Sequence, residues 1–158
     1  MVRTALFQGV NAGSIPAGAA VSLIFVGFLL NLAWEAGQNL LYAWDPKISV
    51  FIPYIFFVSL KDTLVILAIY WLTALVRQKA DWIFEMEAKD LIFAGFIGLA
   101  YALGAEFQAI QSGRWQYNEL MPLIPGLEIG VTPILQMMIL PIVTFYWALK
   151  KFWPAQLT

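Results

Sequence analysis

Four apolar stretches, each long enough to cross a bilayer, constrain this chain more than any other feature. They run from Ala17 to Trp44, Val50 to Val76, Leu91 to Gln111 and Val131 to Lys150, where a hydrocarbon core of about 30 Å demands ~20 residues of helix. Lipid offers no water to backbone N–H and C=O groups, so a continuous apolar run of that length must satisfy them within itself, as a helix. The expectation is an all-α integral membrane four-helix bundle, one transmembrane domain over residues 1–158, without repeat or linker. The first two stretches exceed the minimum and have room to tilt, protrude or break, and Pro53 suits the first turn of the second. The segment from Met121 to Gly130 leaves space for a fifth short or re-entrant element.

Composition narrows the chemistry. The chain is 61% hydrophobic and 12% charged, against roughly 45–50% apolar residues in a soluble domain. Its net charge of −1 is spread without a basic run, which removes nucleic acid as a partner. There is no cysteine and no histidine, so disulfides, thiolate chemistry and the commonest metal and haem ligands are excluded. Neither a metal nor a cofactor is expected. Any reaction must run on carboxylates, amides, hydroxyls and aromatic rings.

Basic residues set the expected orientation, because short cytoplasmic loops collect Lys and Arg. Arg3, Arg77, Lys79, Lys89, Lys150 and Lys151 fall on one side and only Lys47 and Arg114 on the other, with Lys61 inside the second helix. Both termini are therefore expected in the cytoplasm. Trp44, Tyr54, Trp115 and Tyr117 fit an aromatic belt at the outer boundary, and Trp71, Trp82, Trp147 and Trp153 one at the inner. The stretch MVRTALFQGVNAGSIPAG has one Arg and no apolar core before Pro16. It does not read as a cleavable signal peptide, and the first helix is expected to act as its own insertion signal.

Polar residues concentrate in the outer half. At ~1.5 Å per residue, Glu35 lies about 14 Å below the outer end of the first helix, Glu106 about 9 Å below that of the third and Gln136 about 8 Å below that of the fourth. Asp62 sits near the middle of the second, while Val21 to Leu30 and Met138 to Val143 are almost purely apolar. Asn31, Glu35, Gln38 and Tyr42 follow a 4, 3, 4 spacing that puts them on one helical stripe, flanked by Asn39. On the third helix Gly95, Gly98, Ala102, Ala105, Glu106 and Ala109 form a small-residue face that invites close helix approach and turns Glu106 into the bundle. Pro133 starts or breaks the outer turn of the fourth helix, and Gln136 follows where its amide can bridge carboxylates. The loop SGRWQYNELMPLIPGLEIGVTP, rich in Pro, Gly and apolar residues, can fold back as a lid.

Structural roles compete with functional ones. Glu35 can serve as a hydrogen-bond partner of Asn31, Gln136 or Trp34, and Lys61 with Asp62 can be a pair that fixes helix register. Trp115 and Tyr117 suit interface anchoring, and Glu85, Glu87 and Asp90 read as solvated loop charges. Ionisable groups inside a membrane are nevertheless functional candidates by default, and three converging acids strengthen that reading.

WEAGQNLLYAW, the Asp of SLKDTLVILAIYW, the Glu of ALGAEFQAIQSGRWQY and the run MPLIPGLEIGVTPILQMMILP resemble a family of small bacterial multi-pass membrane proteins of unassigned function, over residues 25 to 150. That resemblance implies the bacterial inner membrane. Asn31-Leu-Ala-Trp34-Glu35 is similar to the acid-bearing helix of membrane-embedded meroterpenoid cyclases, which implies a proton-donor role for Glu35. Trp115-Gln-Tyr117-Asn118, followed by Gly130 to Gln136, resembles the tryptophan loop and Pro-x-Glu-Glu helix of membrane lycopene cyclases. The match departs from that motif in carrying Gln136 and no acid after Pro133.

The expected function is a membrane-embedded isoprenoid cyclase or double-bond isomerase. A carboxyl taken out of water favours its neutral, proton-donating form. Glu35 would act as the acid and Glu106 or Asp62 as the base. Asn31, Trp34, Gln38, Tyr42, Trp115, Tyr117 and Gln136 would line the substrate site, their aromatic faces suited to a developing cation. The partner would be a lipid-soluble isoprenoid or quinone that enters sideways from the membrane lipid. Two other readings use the same residues: a non-catalytic lipid- or quinone-binding subunit, as a homo-oligomer or in a larger membrane complex, and a proton-coupled carrier.

Overall fold

The computed structural model describes residues 17–43 and 51–152. The expectations placed on Arg3, Trp44, Lys47, Trp153 and the segment before Ala17 lie outside them. Four long helices carry the fold: α1 Ala17–Gln38, α2 Phe51–Arg77, α3 Ala88–Gln111 and α4 Val131–Phe152. All four are long and apolar enough to cross a membrane. The chain is an all-α integral membrane protein.

The helix ends depart from the apolar pattern for local reasons. After Gln38 the chain tightens into a 3-10 turn, Asn39–Leu41. It is then tied to the α3–α4 connection: Ala43 N donates to Gln116 O at 2.9 Å, Asn118 N to Leu41 O at 3.0 Å, and Tyr42 pairs with Tyr117 in an antiparallel bridge. At its other end, α3 starts earlier than hydropathy alone indicates, because Glu87 and Asp90 form a reciprocal capping box around its first turn. Asp90 is thus no solvated loop charge. It is 3% exposed and lies 3.6 Å from the Arg77 guanidinium. Glu87 and Glu85 are exposed and ion-paired, to Arg77 and Lys79 respectively. These contacts hold their carboxyls below the ordinary glutamate range.

Residues 121–130 form no fifth helix. Leu123–Ile124 (β1) and Ile129–Gly130 (β2) pair as a small antiparallel hairpin. Pro125 and Gly126 explain the choice: proline cannot donate to a helix, and Gly126 at φ +82° takes a turn conformation that side chains resist.

Around the bundle the helices follow chain order. α1 packs closely on α2 and α4, α3 packs closely on α4, and the α2–α3 side is the loosest. The α3–α4 crossing depends on Gly98, where a Cβ would fall 1.8 Å from the Met137 carbonyl oxygen. In lipid, where apolar surfaces gain little by meeting each other, such backbone approach supplies the packing contact. The end of the bundle that carries the termini is a dry core of Leu23, Ile66, Ile69, Tyr70, Ile83 and Phe145 around Trp82. Trp82 is 0% exposed, lies tilted against Tyr70 and edge to face with Phe145, and donates to the Tyr70 carbonyl at 3.3 Å. It is a core residue instead of the expected belt anchor, whereas Trp71 and Trp147 are exposed as a belt requires.

Candidate functional site

The other end, which carries the hairpin, holds the polar residues. Turning α1 by its 4, 3 spacing buries Asn31, Glu35 and Gln38 on one face against α4 and α2. Gln136 enters from α4, one turn after the start at Val131, and is 2% exposed. Its amide nitrogen stands 3.0 Å from Asn31 Oδ1, 3.0 Å from Glu35 Oε1 and 3.3 Å from Asp62 Oδ2. Its oxygen accepts from Gln38 Nε2 at 2.9 Å, and that nitrogen also donates to Glu35 Oε1 at 2.9 Å. Asp62, from α2, shares the Gln136 nitrogen with Glu35. Three helices are thus joined through three amides and two carboxyls.

Lys61 and Asp62 are consecutive, so the helix points them about 100° apart. The Asp62 side chain is 6% exposed and the Lys61 side chain 45%, with the ammonium 3.3 Å from Asp62 Oδ1. Glu106 faces them from α3 and is 5% exposed. One of its oxygens accepts from the Tyr117 hydroxyl and, at 3.3 Å, from Trp115 Nε1. Tyr42 meets Trp115 edge to face, with ring centres 6.2 Å apart, and lies tilted against Tyr117 at 5.6 Å. Burial and the bond to Glu106 push the hydroxyl of the loop residue Tyr117 above the ordinary tyrosine range. The connection between α3 and α4 closes over Glu106 as a hydrogen-bonded cap.

Between these groups lies one cavity of about 60 Å³. Of the residues singled out in the sequence, Glu35, Gln38, Tyr42, Asp62, Glu106, Trp115 and Gln136 line it. Three do not. Asn31 is buried behind Gln136, Tyr117 reaches Glu106 from the loop, and Trp34 faces an open groove on the far side of α1, touching the site through its 3.1 Å bond to Gln38. Tyr54, Val58, Lys61 and Tyr101 also line the cavity, so Tyr54 is more than the belt residue it resembles. The 4, 3 spacing of Tyr54, Val58 and Lys61 is the signal that marks that stripe of α2. Among the described residues no group of three or more acids gathers closely enough to hold a metal ion.

These features define a small four-helix membrane protein with a buried carboxyl–amide site. Compared with protein-family models, with curated proteins and with solved structures, the chain matches none.

Proposed function

We propose that the protein is a membrane-embedded acid–base isomerase that shifts a double bond in a lipid-soluble isoprenoid, with Glu35 and Asp62 as the proton-holding pair and Glu106 as its counterpart. The observation that carries this reading is a cavity lined by carboxyls from two sides, Glu35 and Asp62 on one and Glu106 on the other. A double-bond shift needs one proton delivered and another removed, and two separated carboxyls supply both.

The shared amide supports a retained proton. Glu35 Oε1 and Asp62 Oδ2 both lie within 3.3 Å of the one Gln136 nitrogen. A proton held between the two carboxyls relieves the repulsion that two carboxylates brought this close would have. Cavity size favours isomerisation over cyclisation. About 60 Å³ takes a few waters or a reacting alkene, and falls well short of the roughly 300 Å³ at which pockets for whole ligands begin. A cyclase must enclose its folded chain, whereas an isomerase needs to enclose only the reacting carbons.

The proposed setting is the bacterial inner membrane with both termini in the cytoplasm, supported by the skew of basic residues toward the termini side. The test compares isoprenoid lipids of cells expressing the wild type and Glu35→Gln, by chromatography that resolves double-bond isomers. The amide keeps size and most hydrogen bonds but carries no transferable proton. A positional isomer should therefore appear with the wild type and fall by about 10²-fold or more in the variant. Equal isomer formation by folded Glu35→Gln would remove Glu35 as the acid.

A further inference from the structure

Between α2 and α3 the cavity is walled by residues that are not fully buried. Its walls there are Tyr54, Val58 and Lys61 of α2 and Tyr101 and Ala105 of α3. None of these five is buried, whereas Asp62, Ala102 and Glu106 behind them are. This is also the loosest side of the bundle. On α3 the adjoining Gly104 adds no bulk, since a Cβ there would meet nothing within 4 Å.

Lys61 stands on that side. Ten residues beyond Phe51, it lies about 15 Å into the membrane at 1.5 Å per residue, too deep for its stem to carry the ammonium to the headgroups. A cation at mid-bilayer is costly unless polar groups or water receive it. Asp62 does so in part. The side chain is still 45% exposed, and it lines the cavity.

We infer that the α2–α3 seam is the lateral entrance from the lipid, and that Lys61 receives there the carbonyl oxygen of an unsaturated isoprenoid ketone or aldehyde whose double bond is the one shifted. This rests on the isomerase reading and names its substrate class. A neutral carbonyl suits the site better than an anionic head, because Asp62 already balances Lys61 and two further carboxyls line the same cavity. The ammonium also disfavours a carbocation beside it and favours negative charge on oxygen.

The step then balances without any redox partner. Glu106 takes a proton from the carbon γ to the carbonyl, and that C–H electron pair becomes the β,γ double bond. The former α,β pair shifts to give a dienolate, whose oxygen Lys61 stabilises. The Glu35–Asp62 pair then delivers its proton to the α carbon. One C–H bond breaks and one forms, and proton transfer between the carboxyls through cavity water resets the site.

The test is equilibrium binding, to nanodisc-held protein, of a tritiated polyprenyl methyl ketone of four isoprene units and of the matching hydrocarbon without the carbonyl. The wild type should bind the ketone more tightly. Lys61→Met should weaken ketone binding by about tenfold or more, the loss of one charge-assisted hydrogen bond, and leave the hydrocarbon unaffected. Lys61→Arg should restore the preference, which separates lost charge from lost folding. Ala105→Trp, which fills the seam, should weaken both probes. Unchanged ketone affinity in Lys61→Met, or unchanged binding of both probes in Ala105→Trp, overturns the inference. Isomer formation is read in cellular lipids and not in this assay, so either result can fail alone.

Discussion

Gln136 is the residue on which the site's geometry depends, since its amide reaches Asn31, Glu35 and Asp62 and accepts from Gln38. Gln136→Leu removes that donor from three buried acceptors. The expected cost is about 1–3 kcal/mol, read as a lowered unfolding midpoint in mixed detergent, and an unchanged midpoint would show that the network holds without it. The α1 stripe was legible in the sequence because helical spacing alone aligns Asn31, Glu35 and Gln38. The part Lys61, Tyr54 and Tyr101 play was not. Apolar residues surround α2 on every side, so the 4, 3 spacing of Tyr54, Val58 and Lys61 is a faint signal, and a belt tyrosine looks the same as one that lines a cavity. Trp115 and Tyr117 were ambiguous for a related reason: an amphipathic ring near a helix end suits an interface as well as a buried acid.

At the scale of elements, hydropathy found four helices but misjudged where they stop. Their ends are set by hydrogen bonds that hydropathy does not measure: the Glu87–Asp90 box at α3, the bridge of Tyr42 to Tyr117 beyond α1, and the Pro125-Gly126 turn. The small-residue face of α3 was readable, and Gly98 is the position where it matters most. Gly98→Ala places a methyl 1.8 Å from the Met137 oxygen. It must spread α3 from α4, at a cost of about 1–3 kcal/mol or more. Gly104→Ala is the matched control: it meets nothing within 4 Å and should be neutral or stabilising by roughly 0.5–1 kcal/mol, the helix-propensity gain over glycine. Equal effects of the two substitutions would show that α3 and α4 do not meet at Gly98.

For the whole molecule, membrane class followed from segment length, but the order of helices around the bundle did not, because apolar faces that meet lipid and those that meet a helix look alike in a hydropathy pattern. That order leaves the α2–α3 side loose, where the proposed entrance lies. Orientation is testable because the chain has no cysteine of its own. Ser112→Cys should react with an impermeant maleimide from outside the cell and Gln78→Cys only after the cytoplasmic face is exposed, and the reverse pattern would invert the topology.

The central claim is that Glu35, Asp62 and Glu106 pass one proton to a bound isoprenoid and take another from it. Its most direct measurement uses purified protein in nanodiscs, incubated in deuterated water with an isoprenoid lipid extract and analysed by mass spectrometry. The expected result is an isoprenoid species that gains solvent deuterium at carbon with the wild type and does not with Glu35→Gln or Glu106→Gln. Carbon-bound deuterium at the same level with the wild type and both variants, or no incorporation by the wild type at all, would contradict it.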